Sequence, residues 1–394
     1  MKLLIYSHFF APSVGGVETV VRSLACGLAA LRDPQGSPQF KITLVTQTQA
    51  GNDDASTHPF RLLRRPGLSE LWRLIKESDV VHVAGPALAP LFLTRILRKP
   101  LVIEHHGYQA TCPNGLLFHH PSKTICPSHF TAGNYSECLH CNNKNEGASG
   151  SVRLLISAFL RRSLSRGAAA NIAPSRHVAS RQALPRTTVI VHGVADPSRG
   201  TGTSPHNETF NERNFAYLGR LVPEKGVSVL LEATQLLRKE GREFHVTIIG
   251  DGPDRLRLEN QIASSHLEKI VHITGFLAGA ALEKELDRVG TIVIPTVMEE
   301  TAGLAALEQM VRGRPVIASA IGGLEEIVSG AGLTFPPADS VGLAKAMTRI
   351  LDEPTLAASL GTSSRQRILQ SFSLDGMIDA HARLYRELAA AAKS

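Results

Sequence analysis

Glu300 and Glu308 stand on either side of Gly303 and Leu304 in the segment PTVMEETAGLAALE, residues 295–308. An apolar run at 291–295 reads as a strand that ends at Pro295, so Glu300 falls in the turn and Gly303 opens a helix. The start of such a helix offers backbone N–H groups without intrahelical partners and a positive dipole end, which suit a diphosphate. Two carboxylates flanking that spot could each accept hydrogen bonds from hydroxyl groups, one set on a sugar and one on a ribose. Carboxylates eight positions apart are common on solvated helices, so the pair alone says little. The strand before it and Gly313-Arg314-Pro315 after it strengthen the case.

A second segment follows the strand expected at 215–218. Gly219-Arg220 leads through Pro223 to Lys225-Gly226. On a strand-to-helix loop, Arg220 with its forked donors and Lys225 as a point charge can neutralise one diphosphate. If a nucleoside diphosphate leaves, fixed cations there stabilise the transition state more than the ground state. An isolated Arg/Lys pair is more often a solvated loop. Placement at the carboxyl end of a strand favours a ligand, because open α/β sheets bind there. Near the N-terminus, Gly15-Gly16 joins the first strand to the first helix. Either the backbone approaches a ligand there or the glycines make a plain tight turn. The spacing is not that of the dinucleotide fingerprint.

These loops need elements to hold them. Short apolar runs alternate with longer amphipathic ones, the pattern of βα units on parallel sheets. In the first half, strands are expected at 3–6, 42–46, 80–83, 101–104 and 189–191, with a helix over 17–31. The polar stretch 195–213 reads as an interdomain linker. The pattern restarts with strands at 215–218, 244–249, 271–274, 291–295 and 315–319. Helices are expected at 227–239, 280–288 and 303–311, and a last amphipathic helix at 374–391. The fold class is therefore α/β with two Rossmann-like domains: residues 1–200, carrying an insertion at about 107–148, and residues 201–373.

The formal charge of +7 is uneven. Residues 1–200 hold 22 Lys+Arg against 11 Asp+Glu, a balance of +11, so the remainder holds 42−22 = 20 against 35−11 = 24, a balance of −4. A basic first half suits an anionic partner, such as a membrane surface or a phosphate-bearing acceptor, or is a solvated face. Nothing in the sequence indicates a nucleic-acid partner. The N-terminus lacks signal-peptide features. The stretch 80–94 contains Pro86 and Pro90 and is too short to span a bilayer. The expected location is cytoplasmic, with peripheral contact at the inner face of the membrane as an extension.

Of five cysteines, Cys26 lies in the first helix as a core residue. Cys112, Cys126, Cys138 and Cys141 all fall in the polar, loop-like insertion. Four thiolates, two of them a C-x-x-C pair, suit a structural tetrahedral zinc, with free thiols, disulfides or an iron–sulfur centre as the alternatives. After the insertion, Leu154, Leu155, Phe159 and Leu164 could share a helical face beside Arg153, Arg161, Arg162 and Arg166. Such a face either packs into the domain, the commoner outcome, or lies on anionic lipid headgroups.

Taken in order, the motifs carry a resemblance. Phe10-Ala11-Pro12 with Gly15-Gly16, Ala173-Pro174-Ser175 and Val191-His192-Gly193-Val194 come first. Gly219-Arg220 with Lys225-Gly226, Ile249 to Pro253, Gly275-Phe276 and Glu300 with Glu308 follow. Gly313 to Val316 and Gly322-Gly323 with Glu326 complete the set. The chain resembles the retaining nucleotide-sugar glycosyltransferases of GT-B fold, the glycosyl transferases group 1 family with its E-x7-E motif. The resemblance implies two domains facing across a cleft, a C-terminal helix (374–394) crossing back to the first, and acceptor and donor sides in that order.

It further implies that Arg220 and Lys225 grip the donor diphosphate, Glu300 faces the transferred sugar and Glu308 bonds the ribose. Gly303 and Leu304 present N–H groups, Gly16 with Gly15 lies under the diphosphate, Gly219 opens the cationic loop, and Gly275 with Phe276 seats the base. His106 stands where relatives contact the sugar, and His105 is the weaker candidate. The implied partners are a nucleoside-diphosphate sugar and a glycan or lipid-linked acceptor, in cell-surface polysaccharide or glycolipid assembly, with no cofactor for catalysis. The alternatives are a sugar-nucleotide epimerase or an inactive sugar-nucleotide-binding homologue on the same fold. Two departures stand out: Ala302 replaces a common aromatic, and Glu325 replaces a common proline.

Overall fold

The computed structural model describes residues 1–50, 58–85, 87–199 and 213–392. Its contacts divide the chain into two compact units. The first comprises residues 1–122, 126–193 and 374–394, and the second 123–125 and 194–373. The division at 193/194 precedes the boundary expected after residue 200. Of the expected linker, residues 200–212 lie outside the described residues. Its first part is anchored rather than loose: Arg365 Nη2 donates to both Asp196 carboxylate oxygens, at 2.8 and 3.0 Å, within the second unit.

The first unit runs β1 (Lys2–Ser7), α1 (Gly16–Ala30), β2 (Lys41–Thr46), β3 (Arg61–Arg64), α2 (Leu68–Glu77), β4 (Val80–Ala84) and α3 (Leu88–Ile96). It continues with β5 (Leu101–Glu104) and the two-residue strand β6 (Phe118–His119); after β7 (Thr124–Ile125), which the contacts assign to the second unit, come α4 (Tyr135–Arg166), β8 (Ala170–Ala173), α5 (Arg176–Gln182) and β9 (Thr187–Val189). Seven parallel strands form its sheet in the order β3-β2-β1-β4-β5-β8-β9. Strands β4, β5 and β8 are buried along their whole length, as parallel strands covered on both faces must be. Leu4, Tyr6, Val81, Val83 and Ile103 belong to one buried cluster.

The second unit runs β10 (Asn214–Leu218), α6 (Val227–Lys239), β11 (His245–Ile249), α7 (Arg255–Ser264), β12 (Val271–Gly275), α8 (Gly279–Leu286) and β13 (Thr291–Ile294). Then come α9 (Leu304–Met310), β14 (Val316–Ser319), α10 (Gly322–Val328), β15 (Leu333–Phe335), α11 (Ser340–Asp352) and α12 (Pro354–Ser371). Its parallel sheet has the order β12-β11-β10-β13-β14-β15, the dinucleotide-fold order 3-2-1-4-5-6. The order reverses between β10 and β13. The loops after those two strands therefore leave their shared carboxyl edge in opposite directions and open the crevice in which such sheets bind ligands. These are the loops bearing Lys225 and Glu300.

The last helix, α13 (Leu374–Ala391), belongs to the first unit although the chain reaches it after the second. Its buried residues Met377, Ile378, His381, Ala382, Tyr385 and Ala389 repeat at helical spacing. On α1, a Cβ at Gly27 would lie 2.0 Å from Ile378 Cδ1, so glycine there admits the close approach of the two helices. Strands β3, β8 and β15 escaped the sequence reading. They are three or four residues long, and β3 (RLLR) and β8 (ANIA) carry no apolar run.

The insertion differs from the expected loop. From Tyr135 onward it is helical, the first part of α4, broken at Gly147 (φ 69°, ψ 175°). The face expected on the second part of α4 is split. Leu155 and Leu164 pack against buried clusters, whereas Val152, Ile156, Phe159 and Leu160 are exposed.

Candidate functional site

In the second unit, glycines bring backbone segments together where side chains would forbid it. Gly226 (φ 67°) ends the short 3-10 turn Pro223–Lys225, and a Cβ there would lie 1.9 Å from the Pro295 carbonyl oxygen. The two loops are stapled at this point: Val297 N–H donates to the Glu224 carbonyl at 3.0 Å, and Thr296 Oγ1 donates to it at 3.1 Å. The staple sets Lys225 Nζ 2.5 Å from Glu300 Oε1. Glu300 is held from its far side by Gly322 and Gly323. Gly323 N–H donates to the Glu300 carbonyl at 2.7 Å, and a Cβ at Gly322 (φ 64°) would crowd that oxygen at 2.5 Å. The glycine pair quoted from the sequence thus positions the carboxylate.

Arg220 is exposed in the same loop as Lys225, and its carbonyl accepts from Tyr217 Oη at 2.7 Å. A Cβ at Gly219 would lie 2.7 Å from that hydroxyl. Gly250 and Gly252, quoted from the sequence without a role, let the carbonyls of Gly219 and Leu221 approach. Gly303 (φ 59°) caps α9, and Leu304 is its first residue. Glu308 lies one turn further on and is half-buried. Burial raises its carboxyl above the usual value, Arg312 opposes that, and Glu283 adds to it. Gly275, left-handed at φ 80°, ends β12 and accepts from Gly250 N–H at 2.9 Å. Phe276 beyond it is exposed, an aromatic face open for stacking. Lys225, Glu300, Gly303 and Leu304 thus gather at the switch point, and Gly219, Gly275 and Phe276 stand along the same strand edge.

The remaining candidates lie in the first unit. Gly15 caps α1 in extended backbone that any residue adopts, and a Cβ there would meet the Glu18 carboxylate at 2.6 Å; Gly16 is the first helical residue. His105 is buried, with Nε2 2.9 Å from Asn171 Oδ1, a structural engagement. His106 turns Nε2 to within 3.5 Å of Glu104 Oε2. A cavity of about 800 Å³, lined by Tyr6, His8, Phe9, Thr48, Arg65 and Leu88, opens at the carboxyl ends of β1 and β2. In the second unit a 270 Å³ pocket at Asn214, His245 and Val271 sits at the amino ends of strands, the edge where such sheets do not bind ligands.

Cys112, Cys126, Cys138 and Cys141 are buried free thiols. Burial pushes Cys112 up to about 11, Cys138 up to about 12, and Cys141 above its usual value. Among the described residues, three-residue groups with donor atoms within 4.8 Å of one another are Glu104–His106–His192 and His119–His129–Glu137. The cysteines form no such group. Asn114 stands between two of them, accepting from Cys112 Sγ at 3.0 Å while its amide lies 3.8 Å from Cys141 Sγ. The Glu104 group carries no sequence signal, because its members come from distant segments.

The sequence model described as "Glycosyltransferase Family 4" matches residues 14–196, and that described as "Glycosyl transferases group 1" matches residues 204–367. Alpha-D-kanosaminyltransferase from Streptomyces kanamyceticus is 32% identical over 174 residues, 44% of this chain and 45% of that protein. Glycogen synthase from Mycobacterium tuberculosis is 32% identical over 204 residues, 51% of this chain and 49% of that protein. The chain spans about half the length of these curated relatives. Anabaena HepE, solved in complex with UDP, superposes with a TM-score of 0.69 at 18% identity, over 98% of this chain and 100% of that one. Two Rossmann-like units in tandem and the glycine-built switch point agree with these matches: the second unit is similar to the glycosyl transferases group 1 family and the first to Glycosyltransferase Family 4.

Proposed function

We propose that the protein is a retaining glycosyltransferase that moves a sugar from a nucleoside-diphosphate sugar to an acceptor hydroxyl. The observation that carries this reading is the Lys225–Glu300 pair at the switch point, a cation and a carboxylate fixed side by side at the mouth of α9. Lys225 and Arg220 neutralise the departing diphosphate, and the first-turn N–H groups of α9 at Leu304 add donors. Glu300 accepts from sugar hydroxyls, Glu308 from the ribose, and Phe276 stacks on the base. The leaving phosphate takes the acceptor proton, so catalysis needs no metal. The UDP complex of HepE and the relatives' names support the donor class. The cavity at Tyr6, His8 and Arg65 has the size of a sugar-acceptor site, and a glycan or lipid-linked acceptor fits the basic first half. A panel of nucleoside-diphosphate sugars should yield one that raises Tm in proportion to occupancy. Product formed with the opposite anomeric configuration, or no donor that stabilises the fold, overturns the reading.

Glu308 gives a pH signature. Its folded-state pKa is raised, so the folded chain binds this proton more tightly than the unfolded one. The resulting stability is fully present below the unfolded pKa and is lost as pH rises through the folded value. Glu308→Gln should therefore raise Tm at neutral pH, with the gain vanishing in acid, while KM for the donor rises. A Tm gap independent of pH would contradict this.

No helix among the described residues is long and apolar enough to cross a membrane. On α4, Val152, Ile156, Phe159 and Leu160 expose an apolar stripe at helical spacing beside exposed Arg153 and Arg166. We read this as a peripheral contact on anionic lipid at the inner face of the membrane. Flotation with anionic vesicles should carry the protein, and Ile156→Glu should reduce recovery. Equal recovery with neutral vesicles, or none with either, removes the contact.

A further inference from the structure

Glu104, at the end of β5, is 1% exposed, and its ion-pair partners among the described residues are four imidazoles. His82 Nε2 lies 3.2 Å from Oε2, His106 Nε2 3.5 Å and His381 Nε2 3.8 Å, while His192 Nε2 lies 3.4 Å from Oε1. Neither carboxylate oxygen makes a hydrogen bond of acceptable geometry, nor does Nε2 of His82, His192 or His381. A buried carboxylate without a compensating cation is costly. A carboxylate buried among imidazoles alone therefore calls for positive charge beside it.

His381 is set as a ligand rather than as a donor. His381 Nδ1 lies 2.8 Å from the Met377 carbonyl, which only accepts, so Nδ1 carries the hydrogen. In neutral His381, Nε2 then turns a lone pair toward the carboxylate, a repulsive contact unless a cation lies between. His82 Nδ1 pairs with Tyr385 Oη at 2.9 Å. A carbonyl partner like that of His381 fixes the tautomer and ring orientation of a metal-facing histidine. The spacing also fits an ion. One donor atom from each of Glu104, His106 and His192 lies within 4.8 Å of the other two, close enough for one ion to reach all three.

We propose that Glu104, His106 and His192 bind one divalent transition-metal ion of the zinc class, with the lone pair of His381 facing the same charge. The ion joins the end of β5 to the segment after β9 and, through His381, to α13. It fixes the ring of His106 by Nε2. It is structural, and it does not rest on the donor-site reading.

The test uses the full chain stripped with chelator, reloaded with Co2+ and gel-filtered. The wild type should retain one equivalent with ligand-field bands and no sulfur charge-transfer absorption. Glu104→Gln and His192→Asn should each lose it, whereas Cys138→Ser/Cys141→Ser and His129→Ala should keep it. Zn2+ should raise Tm of the wild type and of the cysteine variant, but not of His192→Asn, which serves if Glu104→Gln does not fold. The proposal fails if wild-type protein retains no cobalt. It also fails if His192→Asn binds as much as wild type, or if the spectrum is a thiolate one abolished by the cysteine substitutions.

Discussion

Replacing Lys225 by alanine is expected to lower kcat about 10²–10³-fold, the usual cost of removing one preorganised charge contact to a developing anion. The ammonium is presented by the 3-10 turn at Pro223–Lys225 and held 2.5 Å from Glu300 Oε1, so it need not be organised at the moment of bond breaking. Its role is larger in the transition state, where charge accumulates on the departing diphosphate, than in the bound donor. The loss should therefore fall on kcat more than on KM. Removing it also strips a partly buried carboxylate of its partner, at about 1–3 kcal/mol of stability. Urea unfolding beside the kinetics separates that cost from the catalytic one. Near-normal turnover in a folded Lys225→Ala protein would show that the diphosphate charge is neutralised elsewhere.

Gly226→Ala is expected to cost about 3–4 kcal/mol and to remove activity as well. Left-handed backbone costs a residue with a Cβ about 1–2 kcal/mol. The new methyl would fall 1.9 Å from the Pro295 carbonyl oxygen, which is backbone and cannot swing aside. Relief requires the loops to part, breaking the hydrogen bonds from Val297 N–H and Thr296 Oγ1 to Glu224, each worth about 1 kcal/mol. Gly241 is the control, since it shares the left-handed backbone (φ 72°) with nothing within 4 Å of its would-be Cβ. Gly241→Ala should thus show the conformational strain alone. Equal destabilisation of the two variants would mean that the close approach at Gly226 contributes nothing.

Much of the second unit was legible because its elements announce themselves locally. The helix at 227–239 is legible to the residue, and strands β10 to β14 within a residue or so, since each is a short run bordered on one side by glycine or proline. The carboxylates and cations were legible as types at strand ends. Their pairing was not, because Lys225 and Glu300 are 75 positions apart and meet only through loops fitted together by Gly226 and Gly322. The apolar face of α4 was legible in part: Leu155 and Leu164 pack as expected, whereas Phe159 is partly exposed. Periodicity reports that a helix has a stripe, whereas the direction in which Leu155 and Leu164 point depends on what packs beside them.

By itself the sequence determined the alternation of strand and helix, the restart of that pattern in the second half, and the chemistry available at each strand end. Those are local properties of composition and period. Tertiary structure decided which ends become neighbours: the reversal of strand order between β10 and β13, and the docking of α13 in the first unit. It also decided the gathering of His82, His106, His192 and His381 around Glu104. The physical reason is that parallel strands pair across long sequence separations. Their order follows from the burial of both faces of the sheet rather than from any short stretch of residues.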